Sequence, residues 1–301
     1  MAHEFAVRVP GSTSNLGSGF DALSAALSVY LDVRVSPTGG SELIWPDDWS
    51  LEPRDNAIEL GLRRACGELG VAVPGMKLSV HSEIPLKRGL GSSGAAFIAG
   101  IRIAETATGR TLSERQALHL AFELEGHPDN VSASLLGGWV LSCTDGDRLL
   151  AERIPSRLEC RFVVAIPETT VSTSEARSIL PSAYPLSDAV FSLQRCGLMV
   201  LALSQGRDDL LEEATRDRLH QPYRATLIPG AEAVLARRQL PSELENSILS
   251  VTISGSGSTL LAIARDRSSE IGEWMKAQLT AAGVRSTVKI LALDPEGARV
   301  L

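Results

Sequence analysis

Hydrophobic residues recur along this chain with two different periods. Leu27, Val29, Leu31, Val33 and Val35 alternate with Ser28, Tyr30, Asp32, Arg34 and Ser36, the two-residue period of a half-buried strand, and residues 5–9 read as another strand. Between 56 and 70 the period lengthens. Ile58, Leu60, Leu62, Ala65 and Leu69 fall on one helical face, and Gly70 suits its end. Alternation returns at 76–84, with Met76, Leu78, Val80 and Ile84 against Lys77, Ser79, His81 and Glu83. A glycine-rich loop follows, then an alanine-rich helix over about 93–107. Ser113-x-x-Gln116 forms a capping box for a further helix that runs to about Leu124. Gly137-Gly138-Trp139-Val140-Leu141 reads as a turn into a strand. Beyond it the pattern predicts strands near 160–166, 248–254, 259–264 and 286–292, and helices near 187–204, 207–216, 228–237 and 268–281. Strands and helices mix without a strict βαβ repeat, which predicts α+β layers over a doubly wound parallel sheet. A length of 301 residues suggests two domains. Asp145-Gly146-Asp147 and Pro155 punctuate the chain, so the expected division is 1–155 and 156–301.

Composition changes this picture little: 44% hydrophobic and 22% charged is an ordinary globular balance. The net charge of −7 and the absence of a basic patch argue against a nucleic-acid partner. Cys66, Cys143, Cys160 and Cys196 are far apart with no C-x-x-C pair, as expected of free thiols in a reducing compartment. The N-terminal residues lack a basic segment followed by an apolar run, and no run of about 18 apolar residues is found. The expectation is a cytoplasmic protein without a membrane span.

Candidate chemistry begins at Pro85-Leu86-Lys87-Arg88-Gly89-Leu90-Gly91-Ser92-Ser93-Gly94-Ala95, which joins a strand to a helix. Glycines let a backbone approach a ligand closely, and the helix behind supplies unpaired N–H groups and its positive dipole end. Together they suit a phosphate. Gly89, Gly91 and Gly94 also spell G-x-G-x-x-G, but the dinucleotide fingerprint needs a strand after the helix, with an acid about 20 residues on. Here a second helix follows and Glu105 lies inside the first. No G-x-x-x-x-G-K-[ST] occurs. Two further polar segments stand out: Pro10–Asp21, which reads as a turn carrying Asn15 and Asp21, and Ser254-Gly-Ser-Gly-Ser-Thr259 after an apolar strand.

Taken in order, these segments resemble the signature motifs of the GHMP small-molecule kinases, and within them those of the homoserine kinases. Pro10–Asp21 is similar to P-A-T-S-A-N-L-G-P-G-F-D, Glu125–Asn130 to E-G-H-x-D-N, and Ser172–Arg177 to S-T-x-E-A-R. Gln221-Pro-Tyr-Arg224 with Leu227–Gly230 is similar to E-P-Y-R and L-[IL]-P-G. The likeness runs from residue 7 to about 264. Gly11, Thr13, Ser18, Gln221 and Ser258 depart from the pattern, and Gln221 removes an acid beside a substrate arginine.

The resemblance implies a two-domain α+β fold. Its N-terminal domain carries a left-handed βαβ unit, against the usual hand, and its C-terminal domain is ferredoxin-like, with the site between them. It implies ATP-dependent phosphorylation of L-homoserine, with ATP and Mg²⁺ bound and a homodimer as one arrangement. Residues Pro85 to Ala95 would hold the phosphates and Asn56 the adenine. Ser93 and Glu123 would bind Mg²⁺, with Glu125 a rival because the Glu-x-Glu spacing fits two alignments. Asn15, Asp21, His127, Arg177 and Arg224 would bind homoserine, the arginines through its carboxylate. Asp129, Asn130 and Thr173 fall at the catalytic positions, and Asp129 reads equally as a general base or as a helix-capping carboxylate. Another kinase of the superfamily, acting on mevalonate or shikimate, is the nearest alternative. A non-catalytic nucleotide-binding protein on the same scaffold is the next.

Overall fold

The computed structural model describes residues 3–46 and 51–301. β1 (Phe5–Asn15) and β2 (Gly19–Pro37) form a long antiparallel pair, with Val7, Val9, Leu31 and Val33 buried along it. Both strands run deeper into Pro10–Asp21 than the alternation predicted, so that only Leu16–Ser18 is left as the turn. The hydroxyls of Ser12, Thr13 and Ser14 disguise this stretch as loop, yet all three residues are buried. Their partners come from distant segments: Ser12 donates to Asn130 Oδ1 at 2.9 Å, and Ser254 donates to Thr13 at 2.9 Å. A buried hydroxyl is tolerated where it is hydrogen-bonded.

The short β3 (Leu43–Ile44) lies beside β4 (Met76–Ser82), which pairs with the second half of β2. The hairpin of β5 (Trp139–Asp145) and β6 (Arg148–Ile154) joins the first half of β2 at Leu23–Ala25. Helices α1 (Ala57–Glu68), α2 (Ser92–Thr108), α3 (Glu114–Glu125) and α4 (Pro128–Leu136) complete this layer. Ile98, Ile101, Ala121 and Leu135 carry them into one core with the sheet.

A second sheet contains β7 (Arg161–Pro167), β8 (Ile248–Ile253), β9 (Leu260–Ala264) and β10 (Ser286–Leu291), in the order β10-β7-β9-β8 with every neighbour antiparallel. This is the strand order of a ferredoxin-like layer. α5 (Thr173–Ser178), α6 (Leu186–Gln205), α7 (Leu211–Ala214), α8 (Gln221–Arg224) and α9 (Ala231–Leu235) are inserted between β7 and β8, and α10 (Ser268–Ala281) precedes β10. Trp274, Met275, Val163 and Leu260 pack in its core. The sheets change between Ile154 and Arg161, but the last residues return to the first sheet. Asp294 donates its N–H to Ala26, and β11 (Arg299–Val300) pairs with β1.

α6 realises the helix predicted near 187–204. By length and composition it is long and apolar enough to cross a membrane, with a mean hydropathy of 1.4. Met199, Ala202 and Leu203 bury one side of it in the core, while Leu186 and Leu193 are exposed.

Candidate active site

Three polar segments that lie far apart in the chain meet in one place. Ser254 Oγ donates to the Gly89 carbonyl at 2.7 Å, Gly255 N–H to Ser14 O at 3.1 Å, and Thr259 N–H to Arg88 O at 3.2 Å. Asn15 Nδ2 donates to Gly255 O at 2.8 Å while its Oδ1 accepts the Asp21 N–H at 3.0 Å. Asn15 was expected to face the ligand. Instead it is buried, and its amide ties the turn to the 254–259 loop.

The glycine loop owes its glycines to this packing. Gly89 and Gly91 have φ of +73° and +70°, a region that disfavours side chains. A Cβ on Gly89 would lie 2.1 Å from Ser254 O, and one on Gly91 would lie 2.1 Å from Ser12 Oγ. Leu90 is buried in the core, whereas Leu86, Lys87 and Ser93 are exposed. Gly91 is the N-cap of α2 and offers no side-chain cap, so the first turn of this 17-residue helix presents free N–H groups beside Ser92 and Ser93. A helix start of this kind suits an anion. Arg88 reaches out of the loop to donate to the Glu168 carbonyl.

The two glutamates of the Glu-x-Glu pair part company here. Glu123 lies on the outer surface of α3, 39% exposed, where its Oε2 pairs with Arg64 at 2.9 Å and its Oε1 lies 3.3 Å from His119. Its carboxylate is thus engaged by surface partners, where the sequence had placed a Mg²⁺ ligand. Glu125 faces the loop. Burial pushes its carboxyl up to about 7 and nearby Asp129 adds to the shift, while the Ser93 hydroxyl acts the other way by hydrogen bonding. No arginine or lysine pairs with Glu125 among the described residues.

The arginines converge on one aromatic ring. Arg177, on α5, donates from Nη2 to Asp21 at 2.7 Å and from Nε to His127 Nε2 at 3.0 Å, with its guanidinium 5.6 Å from the Phe20 ring centre. Burial and the Arg177 charge lower the His127 pKa, so the ring is neutral and accepts from Arg177. Arg224 is 2% exposed and lies 5.0 Å from the same ring. Its Nε donates to Ala176 O at 3.2 Å and its Nη1 to Gly255 O at 3.0 Å, while Nη2 makes no hydrogen bond among the described residues.

Asp129 lies in the first turn of α4, buried, with Oδ1 accepting the Asn130 N–H at 2.7 Å. Burial first and the Asp21 charge second push its carboxyl up to about 6. Asn130 joins α4 to β1 through Ser12 and through Ser14, to which its Nδ2 donates at 3.2 Å. Thr173 opens α5, exposed, beside the N-cap Ser172. Asn56 is the buried N-cap of α1, with Oδ1 accepting the Glu59 N–H and Nδ2 without a partner among the described residues. Phe20 and His220 were not singled out from the sequence, although His220 stands four residues before Arg224 on one helical face.

A profile of the GHMP kinases N terminal domain matches residues 56–138. The homoserine kinase of Moorella thermoacetica is 38% identical over 298 residues, 98% of this chain and 99% of that protein. The chain belongs to the homoserine kinases. The Thermus thermophilus homoserine kinase is 41% identical over 258 residues, 85% of this chain and 86% of its own. The crystal structure of the homoserine kinase from Cytophaga hutchinsonii superposes with a TM-score of 0.88 at 26% identity, covering 100% of this chain and 98% of that one. Against that family's pattern, the departures have local explanations. Gln221 directs its Oε1 to the Ile253 N–H at 2.9 Å and its Nε2 to Thr215 O at 3.4 Å, so it serves as a backbone brace. Ser18 donates to Ala214 O at 2.7 Å, and Ser258 to the Thr169 carbonyl.

Proposed function

We propose that this homoserine kinase family member transfers the γ-phosphoryl group of ATP to the hydroxyl of L-homoserine, giving O-phospho-L-homoserine and ADP, a step toward threonine. The convergence of Arg177 and Arg224 on Phe20, with Arg224 Nη2 uncommitted, is the observation that carries the reading. A guanidinium fork matches a carboxylate, and Asp21 offers a carboxylate for the ammonium. The hydroxyl oxygen attacks the γ-phosphorus, the bond to the β-phosphate oxygen breaks, and the hydroxyl proton leaves to a base. Asp129, raised to about 6, is ionised at neutral pH and suits that acceptor.

The phosphates fit the uncapped first turn of α2, with Lys87 and Ser92 alongside, and the adenine fits beside Asn56, whose Nδ2 has no partner among the described residues. The donors near the loop also fit Mg²⁺. This ion takes oxygen ligands and is commonly held by one or two carboxylates plus substrate phosphates. Glu125 is a largely buried carboxylate with no cationic partner among the described residues, and Ser93 stands beside it. Glu125 replaces Glu123 in this role. Mg²⁺ bound there would neutralise charge on the phosphates during transfer.

The test is Arg224→Ala. Removing one partner of a desolvated charge pair costs about 2–5 kcal/mol, roughly 30- to 4,000-fold in kcat/KM at ~1.4 kcal/mol per tenfold. The homoserine KM should rise steeply and the ATP KM stay level. Homoserine methyl ester should barely distinguish variant from wild type. Loss of ATP affinity instead would move Arg224 to the phosphate site.

A further inference from the structure

Arg224 is fully enclosed on one side by a group that the proposed reaction does not use. His220 lies one helical turn before it, entirely buried, at the start of α8. Its Nε2 is 2.8 Å from the Gly17 carbonyl, in the turn between β1 and β2. A carbonyl accepts, so Nε2 carries the proton and Nδ1 is left as an acceptor. Nδ1 stands 3.4 Å from Arg224 Nη1, which is a donor. The ring face stacks on Phe20 at 5.1 Å and 20°. Phe20 is the ring over which both guanidiniums lie. Asp217 fixes the backbone, its Oδ2 accepting the N–H groups of His220 and Gln221, each at 2.8 Å, and the same oxygen lies 3.6 Å from His220 Nε2. The imidazole therefore links the β1–β2 turn, the aromatic floor and Arg224.

We infer that His220 is a positioning residue for homoserine. Its neutral ring spans from the Gly17 carbonyl to Arg224 and holds the guanidinium so that Nη2 faces the substrate carboxylate. Burial and the neighbouring Arg224 charge lower its pKa to about 4, with Asp217 opposing, so the ring is neutral in the working range. A charged ring would lose the Nδ1 acceptor and place a second cation against Arg224. This inference rests on the reading of Arg224 as the carboxylate clamp.

Three substitutions separate the two ends of the ring. His220→Asn places an amide oxygen near Nδ1 and keeps the acceptor for Arg224. His220→Gln places its amide near Nε2 and keeps only the donor to Gly17. His220→Leu removes both. Hydrogen bonds to charged groups are worth enough to set an effect of about tenfold. The expected result is a homoserine KM raised about tenfold in the Leu and Gln variants, recovery in the Asn variant, and an unchanged ATP KM in all three. The inference is overturned if His220→Leu leaves the homoserine KM unchanged while Arg224→Ala raises it. It is also overturned if all three variants lose kcat and both KM values together with melting temperature, since the ring then acts only through packing. If Arg224→Ala leaves the homoserine KM unchanged, the clamp itself is wrong and the inference falls with it.

Discussion

Replacing Glu125 with glutamine should make the ligand-free protein more stable and the enzyme inactive. Glu125 has an ordinary carboxyl value of 4.5 that burial and Asp129 raise to about 7. The difference is about 2.5 pH units, which at ~1.36 kcal/mol per unit is about 3 kcal/mol against the ionised form. The direction follows from proton counting. Between pH 4.5 and 7 the native state binds more protons here than the unfolded chain, so this group's contribution to stability falls as pH rises through that window. The penalty is absent below 4.5 and complete above 7. Glutamine cannot ionise and keeps the shape, so Glu125→Gln should unfold at higher urea concentration than wild type at pH 8, by up to about 3 kcal/mol, with the gap closing toward pH 4.5. Urea titrations at the two pH values, with Mg²⁺ chelated, read this directly. Mg²⁺ with ATP should then stabilise wild type more than the variant, and kcat should collapse in the variant alone. A stability difference that is the same at both pH values, or a variant less stable at pH 8, would refute the reasoning about this carboxylate.

Other variants test the neighbouring assignments. Glu123→Ala should keep wild-type activity and lose no more than about 1 kcal/mol, because its partners Arg64 and His119 lie at the surface; a collapse in kcat would return the metal role to it. Gly91→Ala should destabilise by about 1–3 kcal/mol through overpacking against Ser12, and Ser12→Gly in the same chain should restore part of the loss. Additive effects in urea denaturation would show that the two do not meet. At saturating substrates kcat should fall as pH drops through about 6, where Asp129 protonates, and Asp129→Asn should be slow at every pH without that limb. An unchanged limb in the variant would assign it to another group.

Much of the fold was legible because the hydrophobic periods are strong. The alternation at 27–35 lies inside β2, that at 76–84 runs two residues past the end of β4 at Ser82, and the capping box at Ser113 opens α3. What periodicity missed were residues buried for polar reasons. Ser12, Thr13 and Ser14 look like loop until Asn130 and Ser254, each more than 110 residues away, supply their hydrogen bonds. Glu123 and Glu125 are two residues apart on one helix and so point to different sides, a choice that a one-dimensional pattern could not make without knowing where Arg64 lies. The glycine loop was recognised as a place of close approach, but the approaching groups are Ser254 O and Ser12 Oγ of the protein itself. α6 spans the helix predicted near 187–204, and Asp188 and Arg195 interrupt its apolar run. Both are paired with residues of later segments, Asp188 with Arg218 and Arg195 with Glu213.

The central claim is that this site phosphorylates homoserine, and an ADP-release assay with ATP, Mg²⁺ and one alcohol at a time tests it most directly. With homoserine, mevalonate and shikimate supplied in turn, the account predicts turnover on homoserine well above the other two and O-phospho-L-homoserine as the product. Faster turnover on mevalonate or shikimate, or ATP binding with no turnover of any of the three, would contradict it.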